Sequence, residues 1–263
     1  MDLASGRGAD LNRYQSVGVL NTVFVDSDRI ALTELINRKY HFIETGRDKR
    51  RTQRDTPPMS IHVLVADLNA PATTTIDALK VFVDGGGANA RGADANLTVD
   101  AIACHMAIHY MCVGIANIRN LLTLVSETLK VGGVFVFTTM DGARVFETLR
   151  AYNKDQTWEL KENSMVKYAI TKKYAGAVLS DAGQTIAVKL PFAGGGFYDE
   201  PLANISTIIK HAGDFGFELV DNVPFDTILD SFESNNRAMY REMTEADRVY
   251  TALHQFVVLN KTK

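Results

Sequence analysis

Met1-Asp-Leu-Ala-Ser-Gly-Arg-Gly-Ala-Asp-Leu-Asn-Arg-Tyr14 opens the chain, and its reading decides the fold. Apolar residues lead into Gly6-Arg7-Gly8, and a helical pattern follows. That is the order strand, tight turn, helix. Glycines at such a turn let a ligand approach the backbone, and the helix N-terminus behind it favours polar or anionic groups. A dinucleotide fingerprint wants a third glycine three positions after the second. Leu11 stands there, so a pyrophosphate-binding turn is poorly supported. The apolar run Thr22-Val-Phe-Val25 reads as the next strand, and Asp26 ends it. An acid at that place, about 20 residues past the glycines, is set to hydrogen-bond ribose hydroxyls. A glycine turn, a ribose carboxylate and no diphosphate signature together suit a nucleoside without a pyrophosphate. S-adenosylmethionine is the common ligand of that description.

The bulk numbers bound the rest. A chain of 263 residues, 46% of them hydrophobic, can bury a full core in one large domain. The formal net charge of −3 gives no global basic field, so a nucleic-acid partner must be met by a local patch. Cys104 and Cys112 are too few for a disulfide framework and suggest a reducing compartment. No apolar run approaches the ~20 residues of a membrane span, so no membrane partner is expected. Only four residues precede the Ser5-Gly6 turn, whereas a central strand usually runs ~5–6. The expectation is a chain that starts inside its first strand, cut from or following a longer polypeptide.

Taken in order, Ser27–Phe42 reads as a helix with Leu32, Leu35, Ile36 and Tyr40 on one face. Gly46-Arg-Asp-Lys-Arg-Arg-Thr-Gln-Arg54 has five basic residues in nine, either a solvated loop or a phosphate-facing one. Ile61–Ala66 is a strand, and Asp67-Leu68 just past it falls at the ligand crevice of an open α/β sheet. Asp67 is either an adenine-holding acid or a turn aspartate. Thr73–Phe82 is helical, and the glycine-rich stretch 84–96 is a surface insertion. Leu97–Ala103 is a strand ending in Cys104-His-Met-Ala-Ile-His-Tyr110. His105 and His109 lack the adjacent glutamate of a zinc HExxH pair, so no metal is expected. Ile118, Leu121, Leu122, Val125 and Leu129 form a helical stripe, stopped by Gly132-Gly133. Val134–Phe137 is a strand, and Asp141 to about Tyr152 a helix. This alternation gives a mostly parallel, doubly wound sheet with helices on both faces. From about 153 to 196 the rhythm changes to short strands, a small antiparallel insert. A helix marked by Ile205 and Ile208, a strand at Phe217–Val220, a polar helical stretch Phe232–Tyr250 and a strand at His254–Leu259 complete one domain, 1–263.

The collected motifs resemble the mRNA cap guanine-N7 methyltransferases, and most of all the C-terminal methyltransferase domains of capping enzymes from large DNA viruses, African swine fever virus among them. Asp2-Leu-Ala-Ser-Gly-Arg-Gly-Ala-Asp-Leu11 is similar to the family's Asp-Leu-Gly-Cys-Gly-Lys/Arg-Gly-x-Asp-Leu. Cys104-His-Met-Ala-Ile-His-Tyr110 is similar to its Cys-Gln-Phe-x-x-His-Tyr, and Val131–Asp141 to its Pro-Gly-Gly-x-Phe-x-x-Thr-Thr-Pro-Asn. The resemblance covers nearly the whole chain. It implies a Rossmann-like, class I, seven-stranded methyltransferase fold and transfer of methyl from S-adenosylmethionine to N7 of a GpppN cap, with S-adenosylhomocysteine as product. By the resemblance, Ala4 and Gly6 lie under the methionine part of the donor, Asp2 and Ser5 also belong to the donor-binding set, Asp26 takes the ribose, and Asp67 with Leu68 the adenine. His105 stands where the family has a donor-touching glutamine, and Ala4 where it has a glycine. His109, Tyr110 and Glu200 are the implied catalytic and cap-binding residues, Glu200 accepting from the guanine N1 and N2 edge. Arg7 takes the family's place beside the cap phosphates. Phe256 and Tyr250 are both candidates for the cap-stacking aromatic, Phe256 being the one assigned to RNA. Implied partners are capped RNA and covalently linked upstream RNA triphosphatase and guanylyltransferase domains. The implied setting is the host cytoplasm, at the viral factory, with packaging in the virion as the alternative.

Two other functions compete. A small-molecule methyltransferase on the same sheet would have no use for Arg7 or the basic residues between Arg47 and Arg54. A non-catalytic, RNA-binding or regulatory subunit would show a broken ribose carboxylate or a blocked turn, and Asp26 and Gly6 are intact.

Overall fold

The computed structural model describes residues 1–49, 59–84, 97–192 and 194–263, without the side chains of 42–49 and 81–84. Strand β1 (Asp2–Leu3) runs through the turn into α1 (Leu11–Ser16), β2 (Asn21–Asp26), α2 (Arg29–Lys49) and β3 (Ser60–Val65). Next come α3 (Ala72–Asp84), β4 (Val99–His105), a 3-10 turn at Ile108–Met111, α4 (Ile115–Thr128), β5 (Leu129–Met140) and α5 (Gly142–Thr148). Four short strands follow: β6 (Thr157–Glu162), β7 (Met165–Lys172), β8 (Thr185–Lys189) and β9 (Tyr198–Pro201). The chain closes with α6 (Ile205–Asp214), β10 (Phe217–Pro224), α7 (Phe225–Asn235), α8 (Arg237–Glu242), α9 (Glu245–Thr251) and β11 (His254–Lys261).

Seven strands form one sheet in the order β10-β11-β5-β4-β1-β2-β3. β1 pairs in parallel with both β2 and β4, and β11 is antiparallel to its two neighbours. The chain winds outward from β1 to β3, then returns to β4 on the other side of β1. That reversal leaves a crevice at the strands' carboxyl ends, where open α/β sheets bind ligands. Helices cover both faces. Phe135, Phe137, Val257 and Leu259 pack with Ile118, Leu121 and Leu122 of α4 and Ile205 and Ile208 of α6. Phe24 packs on the other face with Leu11, Leu32 and Leu35. Each such side chain contributes ~1.5–3 kcal/mol on burial.

The remaining four strands form an antiparallel sheet in the order β6-β7-β8-β9. Ile170, Tyr174, Ile186 and Val188 of this insert share a core with Val145 and Leu149 of α5 and with Tyr250 and Leu253. The insert is therefore packed against the elements at the main sheet's carboxyl side. Its fourth strand, Tyr198–Pro201, extends it past 196. Tyr198-Asp-Glu-Pro201 has no apolar alternation, so only the pairing of Ile186 with Glu200 and Thr185 with Pro201 makes it a strand.

Two expectations need correction. Gly132-Gly133 do not stop the helix, which ends at Thr128. They lie within β5, where its register against β4 shifts between Val99 and Ala101. Gly132 has φ +81°, and a Cβ on Gly133 would stand 2.8 Å from the Asp100 carbonyl oxygen, so this bulge needs glycine. The polar stretch Phe232–Tyr250 is not one helix. It is broken at Asn236 and at Met243, and α9 restarts with a capping box between Thr244 and Asp247. The glycine-rich residues 85–96 lie outside the described residues.

Candidate active site

The turn after β1 is held by Asp26. Its Oδ2 accepts from the Gly6 backbone N–H at 2.7 Å, and its Oδ1 from the Asp28 N–H at 2.8 Å. Gly6 has φ +51°, and nothing stands within 4 Å of where its Cβ would be. Ala4 also sits in the left-handed region, at φ 52°. Alanine there costs ~1–2 kcal/mol that glycine would not. Met106, at the end of β4, is a second non-glycine in that region, at φ 54°. Both strained residues line the same cavity, a place where backbone strain tends to cluster.

That cavity has a volume of about 310 Å³. Ala4, Gly6, Asp26, Asp67, Leu68 and His105 all line it, with Tyr110 at its far side. Six of the sequence-derived donor residues are thus brought together. Asp2 and Ser5 are not among its lining residues. The Asp2 side chain is buried near Tyr14 and Asp10, and burial pushes its carboxyl up to about 7. Asp67 is at once a turn aspartate and a cavity residue, since its Oδ1 accepts from the Asn69 N–H at 2.9 Å. Burial lowers the His105 pKa, and its Nδ1 lies 3.4 Å from Thr138 Oγ1. A neutral ring is therefore expected beside the turn. The cavity falls at the small end of ligand pockets, ~300–1,000 Å³. Apolar walls, a glycine turn with open space before it and two carboxylates fit a nucleoside with vicinal hydroxyls.

Tyr110 joins this cavity to a second group of residues. It is 48% exposed, and its hydroxyl pKa is raised by burial and then by the nearby charges of Glu200 and Asp26. His109 is buried, its ring 4.1 Å from that of Tyr110 between centroids. His109 Nε2 stands 3.6 Å from Glu200 Oε2. That spacing is an ion pair only if the imidazole is charged. Burial opposes the charge on both partners, lowering His109 to about 4 and raising Glu200 to about 7. The direction is clear: both groups are driven toward their neutral forms, and the His109 Nε2 has no hydrogen-bond partner. Behind them Tyr250 stacks on Tyr168 at 4.2 Å and meets His254 edge-on at 5.2 Å.

Glu200 predicts a measurable stability trend. A carboxyl at 4.5 in the unfolded chain and about 7 in the fold stabilises fully below pH 4.5 and loses that contribution as pH rises through about 7. Glu200→Gln should therefore gain about 3 kcal/mol on wild type between pH 4.5 and 8, read by denaturant unfolding at both pH values. A pH-independent difference would show that the carboxyl is not desolvated.

Other sequence-derived residues lie elsewhere. Arg7 Nε pairs with Glu34 Oε2 of α2 at 3.3 Å, and Arg7 is not a cavity-lining residue. Phe256 is half-buried on β11, paired with Thr138 of β5 and Val223 of β10, so it shares a sheet face with Thr138 rather than lining the cavity. Tyr250 is the aromatic packed nearer Glu200, whose charge raises its pKa after burial. The basic residues 50–54 lie outside the described residues. Two contributors escape a sequence reading. Asn69 donates through Nδ2 to the Tyr110 carbonyl at 3.2 Å, tying the β3 end to the 3-10 turn. Thr138 Oγ1 accepts from the Met106 N–H at 3.0 Å and so holds the strained end of β4. The Thr-Thr pair at 138–139 is the available signal for the second, and nothing marks Asn69.

A family model for the mRNA (guanine-N(7))-methyltransferase domain matches residues 1–252. The mRNA-capping enzyme of African swine fever virus is 35% identical over 263 residues, which is 99% of this chain and 28% of that protein. The mRNA cap guanine-N(7) methyltransferase of Debaryomyces hansenii is 25% identical over 142 residues, covering 52% of this chain and 26% of the yeast protein. Among solved structures, an S-adenosylmethionine-dependent methyltransferase from Clostridium acetobutylicum superposes with a TM-score of 0.54 at 15% identity, over 100% of this chain and 83% of the other. The fold is thus that of the S-adenosylmethionine-dependent methyltransferases, seven-stranded and mostly parallel, with a small antiparallel sheet added.

Proposed function

Because this chain belongs to the mRNA (guanine-N7)-methyltransferase family, we propose that its crevice seats S-adenosylmethionine against the Gly6 turn and a GpppN cap guanine against Tyr110 and Glu200. One observation carries this reading: the phenol of Tyr110 lines the donor-sized cavity and feels the carboxylates of both Asp26 and Glu200. A two-reactant site needs such a junction. When bound, S-adenosylmethionine supplies an electrophilic sulfonium methyl. Guanine N7 already carries an in-plane lone pair, so no side chain must remove a proton first. The chain's task is to position and to oppose charge.

Asp26 holds the ribose end, with Ala4 and Gly6 leaving room for the donor's tail. Asp67 and Leu68 bound the adenine end. Glu200 accepts from the guanine N1 and N2 edge and faces the positive charge that grows on the ring. In-line positioning supplies much of the barrier reduction, because misplacement by 1 Å can cost about 100-fold. Electrostatic opposition at a desolvated carboxylate adds to it. His109 fixes the Tyr110 ring beside Glu200 and keeps water out.

The chain spans 28% of the length of the viral capping enzyme it matches. RNA triphosphatase and guanylyltransferase domains that make the GpppN end are accordingly proposed partners. Incubation of this chain with labelled methyl donor and GpppRNA, GTP or uncapped RNA tests the function. Label is expected at N7 of the GpppRNA, with little on GTP and none on uncapped RNA. Equal labelling of GTP and GpppRNA would favour a small-molecule enzyme, and no labelling of any substrate would overturn the reading.

A further inference from the structure

A second cavity, of about 530 Å³, lies where α5 meets the insert, lined by residues the methyl transfer does not use. Phe146, Arg150 and Lys154 contribute from α5 and the segment after it, and Lys172 and Tyr174 from the end of β7. Lys172 is only 7% exposed. Its Nζ donates to the backbone carbonyls of Leu149 at 3.2 Å and Tyr152 at 2.8 Å, and lies 5.0 Å from the Tyr174 ring centroid. Among the described residues no carboxylate pairs with it. An ammonium has three N–H donors, and the third has only the ring and, among the described residues, no oxygen acceptor. Tyr174 is 8% exposed, and its buried hydroxyl has no partner. Burial pushes that hydroxyl up to about 12, so it remains a donor at any ordinary pH.

Buried donors left unpaired are costly and call for an explanation. Here the wall of one cavity carries a buried cation held only by carbonyls and a ring, and a tyrosine whose hydroxyl has no partner. Further cationic side chains lie nearby, two of them paired with carboxylates. Arg150 is exposed and pairs with Glu147 at 2.5 Å, and Lys173 pairs with Asp155 at 3.4 Å. Lys154 is exposed and adds a further cation without an ion pair among the described residues. Phe146 and Tyr174 stack with centroids 5.6 Å apart. Cations beside aromatic rings are the equipment of single-stranded nucleic-acid grooves. The cavity also has a defined place relative to Glu200. Lys172 pairs with Ile186, and Ile186 with Glu200, so the three form one cross-strand row. Two strand spacings separate Lys172 from Glu200, roughly 10 Å. A few nucleotides of chain span that distance.

We propose that this cavity binds a backbone phosphate of the RNA chain downstream of the cap, with Lys172 and Tyr174 donating to it and Arg150 and Lys154 guiding it in. The identity of the ligand as capped RNA rests on the function proposed above. The case for an acceptor oxygen, and for its being anionic, rests on the Tyr174 hydroxyl and on the cations that line the cavity.

Anisotropy titrations across a range of salt concentrations, with an RNA of about 15 nucleotides, capped or uncapped, test it. The variants are Arg150→Ala combined with Lys154→Ala, and Tyr174→Phe. Neither touches the crevice at Tyr110. The double variant should bind both RNAs about tenfold more weakly, with a salt slope shallower by about 0.7 for each phosphate no longer neutralised. Tyr174→Phe should lose about threefold in RNA affinity while its melting temperature rises, because the unpaired hydroxyl is gone. Methylation of the GpppA dinucleotide, too short to reach the cavity, should match wild type in both. Wild-type RNA affinity and salt slope in the double variant would overturn the proposal. Failure of wild type to methylate GpppA or GpppRNA would overturn the proposed function instead, while the uncapped RNA still decides the cavity.

Discussion

Replacing Glu200 with alanine is expected to cut cap methylation by about 100- to 1000-fold, the usual cost of deleting a group aimed at developing charge. Donor affinity should stay within about twofold of wild type, because the residues lining the donor cavity do not include Glu200. The two carboxylates act from different sides of Tyr110, and the experiment separates them. Glu200→Gln keeps the volume but replaces an acceptor by a donor facing the guanine N1 and N2 hydrogens, so it should be nearly as impaired. The same site predicts a pH profile. Burial raises Glu200 to about 7, and only its ionised form accepts from the guanine edge and opposes positive charge. The kcat/KM for GpppRNA should therefore climb with pH through about 7 and level off above it, with a slope near one on the acid side. Glu200→Gln should flatten that limb. Wild-type turnover in Glu200→Ala, or an unchanged acid limb in Glu200→Gln, would remove Glu200 from the mechanism.

Asp26→Ala should weaken binding of S-adenosylhomocysteine by roughly 10- to 100-fold, since a hydrogen bond to a charged group contributes about 1.5–3 kcal/mol. Calorimetry reads this directly, without turnover. Asp26 also accepts from the Gly6 and Asp28 N–H groups, so its loss leaves the turn's donors facing the cavity without their anchor. A modest fall in melting temperature is expected alongside. The binding loss should exceed what loosening of the turn alone produces, and Gly6→Ala supplies the comparison. Alanine at φ +51° strains the turn and puts a methyl into the open space before it, while the ribose carboxylate stays. Asp26→Ala with unchanged S-adenosylhomocysteine affinity would show that the carboxylate serves the turn only.

The arrangement of Asp26 shows why the donor half is readable in the linear chain. Its partner, Gly6, sits one strand–turn–helix unit away, and that unit is local. Apolar strand, glycine turn, helix and acidic strand end occur in order, and each is specified by short-range chemistry. Asp67 and His105 are readable for the same reason, as polar residues at the ends of apolar runs. Gly132-Gly133 mislead because a glycine pair after a helical stripe looks alike in a helix stop and a bulge. The Asp100 carbonyl opposite, on another strand, makes the difference.

By itself, then, the order of residues determined the parallel sheet, the position of its crevice and the two carboxylates, Asp26 and Asp67, that line it. Those depend on periodicity and on turns, which act over a few residues. The tertiary structure alone decided that Tyr198–Pro201 becomes a strand and that this strand brings Glu200 to 3.6 Å from His109. It alone gathered Lys172 and Tyr174 around a cavity and left the Tyr174 hydroxyl without a partner. Pairing between distant strands and the withdrawal of charged groups from water are properties of the packed molecule, and no local pattern carries them.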